Sequence, residues 1–260
     1  MTKSLAAVPA LLLVIVSLWE VVAARRDAVA VPDDAAWDAA ASLVRASDQP
    51  GDLIVFAPDW IDPVGRLHLG DRISVDMASR MDAARYGRIW ELSIRGARAP
   101  ETAGLAPVLA LDIDGVTVRR FERAPAIVIA DVVSQLAAAT SDGVHPTPEL
   151  AEVGFRPHRC VQVTPVPGKP TRVTFHQLHL GTTLVGYAGL ADVFTRRDIR
   201  APGKLAVEIG GRTVASITPG IDDGWVHFEA TTQPGDADVT FVASADAPQR
   251  QICFAAEARQ

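Results

Sequence analysis

Hydrophobic positions follow three different patterns along the chain. From Leu5 to Trp19 they form one nearly continuous apolar block, which runs on through Glu20-Val-Val-Ala-Ala24 and closes at Arg25 and Arg26. From about Pro32 to Thr140 the period changes repeatedly. Trp37, Ala40, Ala41 and Val44 recur at helical spacing after the start signal Pro32-Asp-Asp34. Pro50-Gly51 then stops the chain, and Asp52-Leu-Ile-Val-Phe-Ala57 is a continuous apolar run of the kind a doubly covered strand requires. Ser74 to Arg85 reads as a helix with Val75, Ala78 and Met81 on one side. Arg88 to Arg95 alternates, with Trp90, Leu92 and Ile94 on one face. Val108 to Phe121 reads as a hairpin turning at Asp114-Gly115. Ala126 to Ala139 begins strand-like and ends helix-like.

From about Arg159 to Gln260 the apolar runs are short and favour period two. Strands are expected at Val161–Pro165, Thr171–Leu178, Lys204–Ile209, Thr213–Ile217, Val226–Ala230, Asp238–Ala243 and Gln251–Ala256. Gly210-Gly211, Asp222-Asp-Gly224 and Pro234-Gly235 are turns among them. Short strands at such spacing make a sandwich or jelly roll. The fold class is therefore α/β plus all-β: an N-terminal membrane helix or signal segment over 1–30, a small α/β domain over 31–140, a Pro-rich linker over 141–158 and a jelly-roll β-sandwich over 159–260.

The N-terminal block has two main readings. A spanning helix needs about 20 mostly apolar residues. Leu5 to Ala24 reaches that length by including Pro9, tolerable near a helix start, and Glu20, which beside Trp19 suits headgroup depth. Alternatively the block is a signal peptide cut after Val22-Ala-Ala24 or Ala28-Val-Ala30. A buried core helix is the third reading. Both main readings place the rest of the chain outside the cytoplasm, either membrane-anchored on the periplasmic or cell-surface side or secreted after cleavage. Lys3 and the terminal amine balance Arg25 and Arg26, so charge does not set the orientation.

Composition adds bounds. With 48% hydrophobic and 22% charged residues the chain has material for a sizeable core. A net charge of −6 argues against nucleic acid as a partner. The two cysteines, Cys160 and Cys253, lie on the opening and closing strands of the β-rich region, which often neighbour each other in a sandwich. A disulfide is expected there, closing a loop of about 93 residues and contributing roughly 4–5 kcal/mol in the chain-entropy model. Two buried free thiols are the alternative.

Candidate chemistry sits in two places. Asp59, Trp60, Asp62, His68, Asp71 and Asp76 follow the first strand, where ligands bind in open α/β sheets. Aspartates also favour loops and helix starts on purely structural grounds. Asp222, Asp223 and Trp225 could form a sugar platform, or else an Asp-Gly turn followed by a core tryptophan. His176 and His179, three apart in a strand, are expected on opposite faces and make a poor metal pair. Arg196 and Arg197, near Asp192 and Asp198, read by default as a solvated loop, and could alternatively meet anionic glycans or lipid headgroups. Gly-x-Ser-x-Gly, His-Glu-x-x-His and paired Cys-x-x-Cys motifs are absent. No catalytic residue, metal or cofactor is expected.

Four stretches carry a resemblance: Trp37-Asp-Ala-Ala-Ala-Ser-Leu-Val-Arg45, Pro50-Gly-Asp-Leu-Ile-Val-Phe-Ala-Pro58, Tyr86-Gly-Arg-Ile-Trp-Glu-Leu92 and Val116-Thr-Val-Arg-Arg-Phe121. They make residues 34–123 similar to the soluble C-terminal domain of bacterial multi-spanning glycosyltransferases of the dolichyl-phosphate-mannose and aminoarabinose transferase type. Those enzymes have many membrane helices and place their catalytic acid among them. This chain has one apolar segment, so no catalytic residue carries over. The region 159–260, around Phe175–Phe194 and Gly220–Phe228, resembles galactose-binding-like jelly rolls. The resemblances imply a non-catalytic envelope protein whose jelly roll binds glycan or a protein partner. A detached accessory domain working with a separate membrane glycosyltransferase on lipid-linked sugars is the alternative. A hydrolase with its acids in the 59–76 loop is the third possibility.

Overall fold

The computed structural model describes residues 3–29, 31–191 and 200–260. The N-terminal apolar block is a helix, α1 (Lys3–Val29). Leu11 to Val16, Leu18, Trp19, Val21 and Val22 are exposed on it. Among the described residues no helix is long and apolar enough to cross a membrane. A helix is thus found where one was expected, without support for a span. The rest of the chain divides between two compact units, and the division is not a single cut: residues 74–87 leave the first unit and belong to the second.

The first unit comprises Met1–Ile73 and Arg88–Arg123. The Asp33 carboxylate accepts the Ala36 N–H at 2.9 Å and starts α2 (Asp34–Ser47), whose Ala36, Trp37, Ala40, Ala41 and Val44 are buried. Strands β1 (Leu53–Ala57), β2 (Arg88–Ile94), β3 (Leu109–Ile113) and β4 (Val116–Glu122) form one sheet in the order β1-β2-β4-β3. The β1–β2 pair is parallel, with Leu53 opposite Ile89. All five residues of β1 are buried, which is why its sequence is apolar without alternation. A short helix, α3 (Asp62–Leu69), follows β1. The β3–β4 hairpin turns where expected, with φ of 47° at Asp114 and 91° at Gly115, the two positive values a type I′ turn needs. One carboxylate in this unit is fully buried: Glu91 on β2, at 0% exposure. It accepts the Ala99 N–H at 2.8 Å and the Thr102 hydroxyl, and pairs with Arg119 at 2.8 Å and Arg98 at 3.2 Å.

The second unit comprises Ser74–Gly87 and Ala124–Gln260. It is a jelly-roll-like sandwich of two sheets. The first runs in the order β13 (Val226–Thr231), β10 (Thr183–Leu190), β15 (Ile252–Arg259), β8 (Arg156–Val163), β7 (Thr147–Val153), with β5 (Val128–Asp131) also pairing with β15. The second runs β12 (Arg212–Ile217), β11 (Gly203–Ile209), β14 (Gly235–Ala245), β9 (Thr171–Leu180), β6 (Thr140–Asp142). Between them lies the core, including Phe175, Leu178, Leu184, Phe241 and Phe254. Cys160 and Cys253 form a disulfide with their Cα atoms 5.5 Å apart, joining the neighbouring strands β8 and β15.

Four differences from the sequence reading have physical causes. Residues 141–158 were expected to be a linker, yet they contain β7 and the start of β8; β7 is an edge strand, where Pro148 is tolerated because one side needs no ladder donor. A central strand, β10, was not expected. Its Gly186 and Gly189 break the alternation, and they do so for close packing: a Cβ at Gly186 would meet Phe228 at 2.2 Å and the Ala255 carbonyl at 2.7 Å. His176 and His179 share the outer face of their sheet. Gln177, at φ 50°, sits at a bulge opposite Ala237–Val239 and shifts the phase by one residue. Finally, the helix expected over 74–85 is only α4 (Val75–Ala78). Ser74 caps it, and the chain then runs through bends and a turn as a strap whose carbonyls bond to the sandwich.

Candidate functional site

The strap lies against the outer face of the first sheet of the second unit. Along β15, Ile252, Phe254, Ala256 and Ala258 point to the core, while Cys253, Ala255, Glu257 and Arg259 alternate with them; all eight are buried. The Arg159 N–H donates to the Ser79 carbonyl at 3.0 Å, and the Trp225 indole N–H donates to the Met81 carbonyl at 3.2 Å. Asp82 receives Arg259 through both carboxylate oxygens at 2.9 Å.

Beneath the strap is a half-open pocket of about 170 Å³. Ala255, Ala256 and Glu257 of β15 line it together with Asp131, Val133 and Arg159, and the strap adds Asp76, Ser79, Arg80, Met81, Arg85 and Tyr86. Its charges form a chain. Arg259 donates to Glu257 at 2.7 and 2.9 Å, and Arg85 bridges Glu257 and Asp131, the latter at 3.2 Å. Burial pulls the Arg85 and Arg259 guanidiniums down, but the facing carboxylates outweigh it and hold both above the ordinary arginine value. Arg80 donates to the Met77 carbonyl at 2.9 Å. Burial raises the Tyr86 phenol, so it stays protonated as a donor. Carboxylates, guanidiniums and a phenol beside the small apolar side chain of Ala255 suit a compact ligand rich in hydroxyls, whose C–H face meets that alanine while its edge exchanges hydrogen bonds.

An aromatic row flanks the pocket's sheet. The His158 ring stacks on Trp225 at 4.4 Å between centroids, and Trp225 lies parallel to Tyr187 at 6.1 Å. His158 is buried, with its Nδ1 at 3.3 Å from the Arg80 carbonyl oxygen. Burial pushes its pKa down to about 4, and the nearby Arg156 and Arg80 push in the same direction.

The candidates named from sequence do not come together around a pocket. Asp59 opens a single 3-10 turn, and Trp60 is 62% exposed with the Arg95 guanidinium 6.0 Å from its ring centre. Asp62 pairs with Arg66 one turn along α3. His68 is buried against Trp37 and bonds Asp38 at 2.7 Å. Asp71 receives Arg45 at 2.8 and 3.4 Å, which holds its carboxyl below the usual range. Asp76 alone among them lines the pocket. Asp222 pairs with Arg200, and Asp223 accepts the Gly220 N–H at 2.8 Å within a turn. Trp225 is partly buried and packs on Ala151, Val153 and the disulfide. His176 and His179 pair with Asp238 and Asp236 at 3.2 and 2.8 Å. Arg196, Arg197, Asp192 and Asp198 lie outside the described residues. Among the described residues no three His, Cys, Asp or Glu side chains gather in a way that could hold a metal ion.

The sequence reading missed Arg80, Arg85, Asp131, Arg159 and Glu257. One signal was available: Glu257 and Arg259 share the phase of Cys253 on the last strand, so a buried disulfide places two charges on a covered face.

No family model and no curated protein matches the chain. Among solved structures, it is similar to CBM51-2 with the INT domains of Clostridium perfringens ZmpB in complex with GlcNAc: 12% identity, 58% of this chain, 36% of that one and a TM-score of 0.40. The chain thus spans about a third of that structure's length. It is also similar to CBM51 of C. perfringens GH95 in complex with methyl-galactose, at 7% identity, 51% of this chain, 99% of that one and TM-score 0.36. A third is the module CBM6cm-2 from Cellvibrio mixtus lichenase 5A in complex with cellotriose, at 14% identity, 52% and 98% coverage and TM-score 0.35. These neighbours are carbohydrate-binding modules. At such TM-scores the sandwich assignment rests on the strands described above.

Proposed function

We propose that this chain is a non-catalytic glycan-binding protein of the cell envelope, kept on the extracytoplasmic side of a membrane by its N-terminal segment. The pocket beneath the strap carries the reading. At about 170 Å³ it is below the roughly 300 Å³ at which drug-sized pockets begin, so it suits one sugar ring. Its carboxylates are engaged by arginines, which favours holding hydroxyls over attacking a bond. The disulfide supports an oxidising compartment. The exposed apolar side chains of α1 support an anchor.

Glycan-array binding by the full chain in mild detergent tests the reading. Binding that falls about tenfold or more in Tyr86→Ala, with an unchanged melting curve, is expected. Array binding that is absent, or indifferent to Tyr86, would refute it. For the anchor, the full chain is expected to stay with membranes through a carbonate wash, while a chain starting at Val31 is soluble. A mature N-terminus between residues 23 and 31 would show a cleaved signal instead.

A second reading has its own support. Nearly all the residues that resemble glycosyltransferase accessory domains fall on α2, β1, β2 and β4, which belong to one unit. An accessory role predicts co-purification with a multi-spanning transferase in mild detergent.

A further inference from the structure

The arginines of the strap pocket are not held alike. Arg85 faces Glu257, which is only 3% exposed, and Asp131 as well; its charge is fixed in place on two sides. Arg159 sits at the open side with its side chain 58% exposed. One of its nitrogens meets one oxygen of Asp76 at 3.1 Å, and Asp76 is itself 73% exposed on the four-residue helix α4. An ion pair so exposed is weak, because both groups remain hydrated and the long side chain loses freedom in forming it. A guanidinium also gains most from two oxygens at once, which this single contact does not supply.

We propose that the pocket takes an acidic sugar, a pyranose bearing a carboxylate, and that Arg159 leaves Asp76 to hold that carboxylate through paired hydrogen bonds. This rests on the glycan-binding reading above and narrows its ligand class. Charge balance selects a monoanion. Asp76, Asp131 and Glu257 face Arg80, Arg85 and Arg159 in the lining, so a single ligand carboxylate replaces Asp76 one for one. A phosphate dianion brings an excess charge toward Asp131 and Glu257, which are already paired with Arg85 and Arg259. The apolar floor at Ala255 then meets the ring, and the Arg85–Glu257 wall meets its hydroxyls.

Calorimetric titration of the full chain with methyl glucuronide, methyl glucoside and glucose 6-phosphate tests this. The glucuronide is expected to bind about tenfold more tightly than the glucoside. Arg159→Gln is expected to bring that ratio to about one. Asp76→Asn, which removes the internal competitor, is expected to tighten glucuronide binding several-fold. Both positions are exposed, and the two variants shift affinity in opposite directions, so a folding defect in one does not hide the result. Equal binding of glucuronide and glucoside overturns the acidic-sugar inference and leaves the glycan reading standing. Tighter binding of the phosphate overturns the charge-balance argument. Binding of none of the three, together with a blank glycan array, overturns both.

Discussion

Each of the two units buries a glutamate on a β-strand and answers it with two arginines, and they differ in what else reaches that carboxylate. In the first unit Glu91 has Arg119 and Arg98, and its remaining acceptor positions are filled by the Ala99 N–H and the Thr102 hydroxyl. The ring of partners closes and pins the loop that follows β2. In the second unit Glu257 has Arg85 and Arg259, but each arginine also reaches a second acid, Asp131 or Asp82, and the chain of charges continues to a pocket. A satisfied buried carboxylate is therefore no sign of function by itself. The informative difference is whether its network ends in the protein's own backbone or at a surface where a ligand can join it.

The units also differ in covalent constraint, and the largest expected effect follows from that. Only the second unit contains cysteines. Replacing Cys160 and Cys253 by serine is expected to lower its stability by about 4–5 kcal/mol in the chain-entropy model. The first unit's unfolding transition is expected to stay where it was, so two calorimetric transitions separate or change order. A parallel loss in both would end the treatment of the units as independent.

Slightly smaller is the effect of deleting the closed carboxylate. Glu91→Ala leaves the half-buried Arg119 without its ion-pair partner and the Ala99 N–H and Thr102 hydroxyl without their acceptor, and about 3 kcal/mol of the first unit's stability is expected to go. Glu257→Ala is expected to do less harm, because Arg85 keeps Asp131 and Arg259 keeps Asp82. Urea midpoints of both variants check the ranking. The reverse order would mean that the open network is the more rigid one.

Next comes acid. His158 takes up its proton near pH 4 in the folded second unit, against an ordinary value near 6.5. Above pH 6.5 it is neutral in both states and its effect is constant. As pH falls from 6.5 towards 4, the unfolded chain binds a proton that the folded chain refuses. Stability then drops by about 1.4 kcal/mol per pH unit, or about 3 kcal/mol across the window. Folded-state carboxylates below their usual range add their own losses only at lower pH. In His158→Phe, which keeps a ring against Trp225, the slope between pH 6.5 and 4 is expected to flatten. An unchanged slope would assign the acid sensitivity to the carboxylates.

Legibility in sequence also divides along the comparison. The first unit's helix α2, strand β1 and hairpin at Asp114-Gly115 rest on local signals: a cap, an unbroken apolar run and two residues that accept positive φ. The disulfide was legible too, because the opening and closing strands of a sandwich often neighbour each other, and chain order alone suggests the pair. Strand β10 was not, since Gly186 and Gly189 read as loop signals until Phe228 and the Ala255 carbonyl are seen to occupy the space. The bulge at Gln177 defeated the alternation that was to separate His176 from His179. The strap was read as helix because Val75, Ala78 and Met81 do keep the helical period. What wins instead is a set of long-range bonds from Arg159, Trp225 and Arg259. A pocket built from residues 76–86, 131, 159 and 257 has no local trace, and only the in-phase charges beside Cys253 pointed to it.

The smallest expected effect falls on the acid that most resembled a catalytic group. Asp71 lies beyond the first strand, where ligands of open α/β sheets bind, and Arg45 holds its carboxyl below the ordinary range. The cause of that shift is a surface arginine bonded to an exposed carboxylate, an arrangement that water screens and that leaves little stability at stake. Two other acids of the 59–76 stretch have partners of their own: Asp62 answers Arg66, and Asp76 answers Arg159 in the other unit. Asp71→Asn is therefore expected to leave the urea midpoint of the first unit within experimental error and glucuronide binding unchanged. Loss of sugar binding in Asp71→Asn, with Tyr86→Ala still binding, would place the ligand on the first unit. It would also reverse the contrast between a unit whose charges close on themselves and one whose charges reach a pocket.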